Sequence, residues 1–273
     1  MEARKEVSLS FFIDPSRRTS MAGHVRGTQV AEYLGAKLNP EDDYGQDTCI
    51  FVKVKPIPFF CGARYFDPVD GVGLLYWFHR HLDVGIIASS NVSYRFLTKQ
   101  FKNKVVLIPQ HHCNFERDKR VRKDVTVAGF IGGYHTFQPF EDEIRSKLKA
   151  IGVDLLFQYK LSCREDAVNF YKNIDVQIVW RIVPEWLSQA KNPLKISCAA
   201  SYQIPTVSYP EDNFVAEYNG GFIAVGSIDE MVSQVKTLKQ DEDYYKHYAK
   251  VAYNKSDKYH IEKVAELYRR LEA

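Results

Sequence analysis

The sequence predicts an α/β protein made of two parallel-sheet domains, and three observations carry that prediction. Short apolar runs of strand length alternate with helix-length amphipathic segments along nearly the whole chain. The clearest break in that rhythm is Glu116-Arg-Asp-Lys-Arg-Val-Arg-Lys-Asp124, with five basic and three acidic residues in nine, after which the same rhythm restarts. The 273 residues suffice for one large domain or two modest ones. The expected division is an N-terminal domain over 1–115, a linker over 116–124 and a C-terminal domain over 125–273 ending in a helix. Two such halves imply a cleft between them, the usual place for a ligand.

The first half opens with a strand-like run from Val7 to Ile13, broken by Asp14-Pro-Ser-Arg-Arg-Thr-Ser. A glycine-bearing basic loop, Gly23-His-Val-Arg-Gly27, leads into a helical pattern over Thr28–Leu38. Strand, basic loop and helix are the opening of a nucleotide-fold domain, but no G-x-G-x-x-G is present, so a dinucleotide is not indicated. Thr48–Val54 reads as a second strand, and Ala63–Gly71 as a short apolar run ending in Asp67 and Asp70. A loop aspartate can act as a base or accept from a sugar hydroxyl, and it can equally start a turn or cap a helix. Leu74–His81 suggests a short amphipathic helix, Asp83–Ser90 a buried strand, Asn91–Phe101 a helix and Lys104–Pro109 a strand. His111 and His112 follow; neighbouring side chains on extended backbone diverge, which makes them a poor metal pair. Either can carry a proton or contact phosphate, and either can be a hinge residue held by backbone bonds.

In the second half, Val125–Ile131 reads as a strand and Gly132-Gly133 as a loop whose backbone can approach an anion closely, although Gly-Gly also occurs in ordinary turns. A helix is expected from Pro139 to Ile151, where proline suits a first turn. Val153–Tyr159 is a strand, Arg164–Lys172 a helix and Ile174–Trp180 a buried strand. Lys191-Asn-Pro-Leu-Lys195 then opens a small-residue helix, and Ile204–Val207 returns as a strand. The whole forms a βαβ crossover whose helix start can receive a phosphate; an ordinary crossover without ligand fits the same residues. Tyr209–Glu217 reads as a loop, Phe222–Val225 as the last strand, and Ser227-Ile-Asp-Glu230 as a capping-box helix start. From Asp241 the chain reads as helical to its end, with Tyr244, Tyr248, Val251, Ile261, Val264, Leu267 and Leu271 facing inward.

Composition limits the function classes. Hydrophobic residues at 45% and charged residues at 26% are ordinary for a globular chain. A net charge of +3 does not demand a nucleic-acid footprint, and no aromatics interleave the 116–124 charges as a stacking platform would need. No apolar run reaches the length of a membrane span, and the N-terminal residues lack a secretory core, so the expectation is a cytoplasmic protein without an integral membrane segment. Cys49, Cys61, Cys113, Cys163 and Cys198 are dispersed without a C-x-x-C pair, as for reduced thiols.

Lys195, Ala199, Ser201, Pro205 and Val207 fall on the positions of Lys-Leu-x-Glu-Ala-x-Ala-x-Gly-x-Pro-Val-Val, and this stretch resembles the donor-binding segment of GT-B glycosyltransferases of the retaining group 1 or family 4 kind. The usual acid falls on Cys198 and the usual glycine on Gln203; the partner of the paired glutamates falls on Ala190. The resemblance implies two Rossmann-like domains and transfer of a sugar from a UDP- or GDP-linked donor to an acceptor hydroxyl, with no cofactor and no metal. It implies donor or phosphate contacts at Gly132, Gly133, Arg181, Lys191, Lys195, Cys198, Glu211 and Glu217, with His135, Glu185 and Asp212 as further candidates. On the acceptor side it implies Gly23, Arg26 and His111, and catalytic roles for His24, Asp70 and His112. The acceptor would be a glycan, a lipid-linked sugar, a protein or modified DNA. A GT-B-shaped binding or scaffold protein without catalysis is the alternative from another class, as is a transferase acting on modified DNA bases, which the pI of 8.4 permits.

Overall fold

The structure is a computed structural model that describes residues 8–14, 23–57, 62–71, 75–121, 124–181 and 184–271. Cys61 and most of the 14–20 loop lie outside these residues. The chain divides into two compact units: 1–111 with 189–192 and 261–273, and 112–188 with 193–260. The division is therefore discontinuous in sequence.

In the first unit the strands are β1 (Leu9–Ile13), β2 (Lys37–Leu38), β3 (Thr48–Val52), β4 (Arg64–Asp67), β5 (Gly85–Ala88) and β6 (Val105–Leu107). They form one parallel sheet in the order β2-β1-β3-β4-β5-β6, among the described residues. β1 and β3 run in register from Leu9 opposite Thr48 to Ile13 opposite Val52. All ten of their residues are buried, as expected of parallel strands covered on both faces. β2 is a two-residue strand where the sequence suggests the end of a helix. A π-helical turn at His24–Thr28 leads into α1 (Gln29–Leu34). Gly27 lets that turn lie against β1, since a Cβ there would run into the Ile13 side chain. A 3-10 helix occupies Leu75–Arg80. α2 (Asn91–Gln100) opens with a capping box in which Ser90 and Ser93 each accept the other's backbone N–H at 3.0 Å.

The second unit holds β7 (Val127–Ile131), α3 (Tyr134–Ala150), β8 (Asp154–Gln158), α4 (Arg164–Lys172), β9 (Val176–Val179), α5 (Glu185–Ser188) and α6 (Leu194–Ser201). It continues with β10 (Thr206–Ser208), α7 (Asp212–Tyr218), β11 (Ile223–Ala224), α8 (Ile228–Gln240) and α9 (Glu242–Ser256). The parallel sheet runs β11-β10-β9-β7-β8. The chain steps from β7 to β8 on one side and then builds β9, β10 and β11 on the other. The order thus reverses between β7 and β9, and in such sheets ligands sit beyond the carboxyl ends of the strands at that point.

Four further expectations need correction. α3 begins at Tyr134 rather than Pro139, which lies inside the helix. The buried Phe137 ring stacks on Phe130 at 4.1 Å, and this core contact carries the helix past the proline. The segment expected as a loop over 209–217 instead forms α7, whose Phe214 and Tyr218, one helical turn apart, are both wholly buried. The C-terminal helical stretch is interrupted: α9 passes through a 3-10 turn at Asp257–Tyr259 to α10 (Ile261–Arg269), which is grouped with the first unit. On α9 the buried apolar residues are Tyr245, Ala249 and Ala252, one position on from the expected set. Tyr245 goes inward because its hydroxyl donates to the Asp175 carbonyl at 2.8 Å, while Tyr244 and Tyr248 pack on each other at 5.0 Å.

Candidate functional site

At the reversal point of the second unit, β7 ends at Ile131 and the chain turns through Gly132-Gly133 into α3. Gly133 occupies the N-cap position and has no side-chain oxygen to satisfy the first N–H groups. The first turn, Tyr134-His-Thr136, contains no acid, so the positive end of a seventeen-residue helix is left uncompensated locally. The start of α6 repeats the pattern: Pro193 is its N-cap residue and its first turn is also free of acids. From that turn Lys195 reaches back to β7, where its Nζ donates to the Ile131 carbonyl and lies 4.9 Å from the centroid of the Phe130 ring. A Cβ on residue 132 would run into Lys195 Nζ and come within 3.3 Å of the Phe130 ring. Glycine at 132 is thus a condition for the lysine's position. Both helix starts and the Lys195 ammonium lie at the carboxyl end of the sheet, where backbone N–H groups and positive charge suit a phosphate.

Beyond β9, Arg181 makes a bidentate pair with Glu211, Nε to Oε1 and Nη2 to Oε2, both at 2.6 Å. Glu211 is 6% exposed and stands at the N-cap of α7, beyond β10, so the pair ties the ends of two adjacent strands. Asp212 is exposed, as is His135, whose ring meets Tyr134 at 5.5 Å. The Glu185 side chain lies outside the described residues. Glu217, near the other end of α7, accepts from Lys258 Nζ and Tyr259 Oη at 2.8 Å each. Cys198 is 4% exposed and belongs to a buried cluster with Cys113, Tyr171 and Tyr202. The Cys113 thiol, hydrogen-bonded to Cys198 and buried, is held well above the ordinary thiol range. The position where the resemblance expects an acid is therefore part of the core. A cavity of about 630 Å³ lies at the opposite, amino ends of the strands, lined by Asp118, Arg120, Thr126, Lys172, Asp175 and Tyr202. There Arg120 and the N–H groups of Thr126 and Val127 are all bonded to Asp175, which makes it a tie between strands.

His112 is 3% exposed, and its Nδ1 accepts the Asn114 N–H at 3.3 Å while its ring meets His260 at 5.5 Å. These contacts describe a structural histidine. His111, in the first unit, is 1% exposed, with Nε2 2.9 Å from the Val25 carbonyl.

In the first unit, Arg26 is fully buried. Its Nε donates to Asp67 at 2.7 Å, and its Nη1 donates to the carbonyls of Ile108 and Pro109 at 2.9 and 2.7 Å. Burial opposes the guanidinium charge, but Asp67 outweighs it and raises the pKa. The residue expected on the acceptor side is thus a structural tie. Asp70, just past β4, accepts from Lys53 and Lys191 at 2.8 Å each. Burial alone would raise its pKa; the two lysines overcome this and push it down to about 2. So weak a base is a poor proton acceptor, which argues against the catalytic role expected of Asp70. Lys191 belongs to this cluster, apart from Lys195, and its carbonyl accepts from Ser90 Oγ at 3.0 Å. Lys53 carried no motif in the sequence; only its spatial pairing with Asp70 marks it. Gly23 is buried where the π-helical turn begins, and His24 beside it is half-buried.

No protein-family model matches the sequence, and no curated protein sequence matches it. Solved structures do resemble the fold. HepE of Anabaena, determined with UDP and glucose, is similar with a TM-score of 0.60 at 10% identity over 96% of this chain and 98% of that one. The pneumococcal O-GlcNAc transferase GtfA, determined with UDP and GlcNAc, is similar with a TM-score of 0.57 at 9% identity over 82% of this chain and 56% of GtfA. TarM of S. aureus, determined with fondaparinux, α-GlcNAc-glycerol and UDP, is similar with a TM-score of 0.57 at 12% identity over 81% of this chain and 54% of TarM. The chain thus spans about half the length of GtfA and TarM. These structures are GT-B glycosyltransferases, and the two parallel-sheet α/β units seen here are the GT-B fold.

Proposed function

We propose that the chain is a glycosyltransferase whose second unit holds a nucleoside-diphosphate sugar, UDP- or GDP-linked. The observation that carries this reading is Lys195, which reaches from the first turn of α6 to the Gly132 turn before α3, at the reversal point of the sheet. The diphosphate would take the N–H groups of Tyr134 and His135 and the ammonium of Lys195. As the glycosidic bond breaks, those fixed positive groups meet the charge growing on the leaving phosphate, so the reading requires no metal. The Arg181–Glu211 pair borders the same end of the sheet on the β9 and β10 side and is a candidate for contact with the sugar of the donor. On the first unit, Asp70 is held ionised by its lysines and is a poor proton acceptor, which leaves His24 as the other first-unit residue that the resemblance implies for catalysis. The acceptor class is a glycan, a lipid-linked sugar or a protein.

One observation favours a second reading, a nucleotide-sugar-binding protein without transfer: the acid of the related enzymes is replaced by the buried Cys198. A panel of UDP-, GDP- and ADP-linked sugars, read by thermal shift and by release of the nucleoside diphosphate, separates the two. Stabilisation with release supports the enzyme, and stabilisation alone supports the binding protein. If no donor shifts the transition, both readings fail.

A further inference from the structure

Two large aromatic side chains stand exposed immediately beside the Gly132-Gly133 turn. Tyr134, the first residue of α3, is 42% exposed, and Tyr159, the residue after β8, is 46% exposed. Their ring centroids are 5.1 Å apart with planes at 59°. The pair is backed by an aromatic ladder. Phe157 lies nearly parallel to Tyr134 at 6.1 Å and meets Tyr159 at 5.3 Å; beneath it Phe137 lies at 4.9 Å. Phe137 in turn stacks on Phe130, the ring that Lys195 Nζ overlies at 4.9 Å. A continuous chain of aromatic contacts, some stacked and some tilted, thus runs from the lysine proposed for the phosphate to an open surface at the carboxyl end of β8. Lys160 Nζ, 5.7 Å from the Tyr159 centroid, borders that surface with a further positive charge.

We infer that Tyr134 and Tyr159 form the stacking platform for the nucleobase of the donor, an inference that rests on the phosphate reading of Gly132, Gly133 and Lys195. A nucleobase is a planar π system joined to an anion, and here an exposed aromatic pair adjoins the anion site, Tyr134 following Gly132-Gly133 directly in the chain. Stacking accepts purines and pyrimidines alike, so the platform contributes affinity and leaves the choice of base to hydrogen bonds elsewhere. The ring of the transferred sugar would lie beyond the second phosphate, farther from the helix start that Tyr134 opens.

The test titrates UDP, GDP and inorganic pyrophosphate into the wild-type chain and into Tyr134→Ala, Tyr159→Ala and Tyr159→Phe. The expected result is about a tenfold loss of UDP and GDP affinity in each alanine variant, retention in Tyr159→Phe, and unchanged pyrophosphate binding throughout. Both tyrosines are surface residues, so thermal transitions near the wild-type value verify folding. Wild-type affinity for UDP and GDP in both alanine variants overturns the platform while the phosphate reading stands. Equal binding of nucleotides and pyrophosphate by the wild-type chain has the same meaning. If the wild-type chain binds none of the three, both the platform and the phosphate reading fail.

Discussion

The two sheets share a parallel architecture, yet their carboxyl ends are finished differently. In the first unit, cations are met by acids: Arg26 by Asp67 with both side chains fully buried, and Lys53 and Lys191 by Asp70. In the second unit Arg181 is likewise met by Glu211, while Lys195 touches a carbonyl and an aromatic face, and two helices start on residues, Gly133 and Pro193, whose side chains make no cap bond and whose first turns hold no acid. The first end is consolidated by its own ion pairs. The second adds two helix starts whose positive ends suit an external anion. One fold therefore carries a closed end and a receptive end, and charge placement rather than topology separates them.

Several substitutions would break or sharpen that contrast. The largest effect is expected from Arg26→Ala, which leaves Asp67 buried without its guanidinium. The first unit should lose about 3–5 kcal/mol of stability in urea denaturation. A variant as stable as the wild type would show that this end is not held by its ion pairs. Next is Lys195→Ala, expected to weaken nucleoside-diphosphate binding by about 10- to 100-fold, as loss of a charged hydrogen bond does, with the thermal transition nearly unmoved. A smaller loss, about tenfold, is expected for Gly132→Ala, whose new methyl group displaces the Lys195 ammonium. Calorimetric titration with UDP and GDP checks both.

The smallest effect concerns pH. The pKa of Asp70 is lowered in the folded chain to about 2, so its contribution to stability is present above the ordinary carboxylate value near 4 and is lost as pH falls toward 2. Asp70→Asn should therefore flatten the decline of the thermal transition between about pH 4 and pH 2, by about 1–3 °C for a pair this accessible to solvent. An unchanged slope would mean that Lys53 and Lys191 do not hold the carboxylate.

Much of the fold was legible because parallel strands covered on both faces read as unbroken apolar runs. Leu9–Ile13, Thr48–Val52 and Val127–Ile131 all announce themselves this way. Arg164–Lys172 begins and ends where its pattern says. What stayed hidden was set by tertiary contacts. Pro139 suggested a helix start, but Phe137 packing on Phe130 carried the helix further back. The turn of α7 depends on burial of Phe214 and Tyr218, which local sequence does not encode. Of the candidate site residues, Gly132 and Gly133 stand out as a glycine pair after an apolar run, and Lys195 only through the resemblance of its segment. The commitments of Arg26, His111 and His112 could not be read, since a basic residue in a loop reads the same whether it faces a ligand or a buried aspartate. Tyr134 and Tyr159 were missed because 25 residues separate them and only the pairing of β7 with β8 brings them together.

A crystal structure with UDP or GDP bound is the most direct test of the central claim, that the receptive end of the second sheet holds the donor diphosphate. The account predicts phosphate oxygens about 3 Å from Lys195 Nζ and from the first N–H groups of α3. A diphosphate bound instead by Lys53 and Lys191 of the first unit, with Lys195 still on the Ile131 carbonyl, would contradict it.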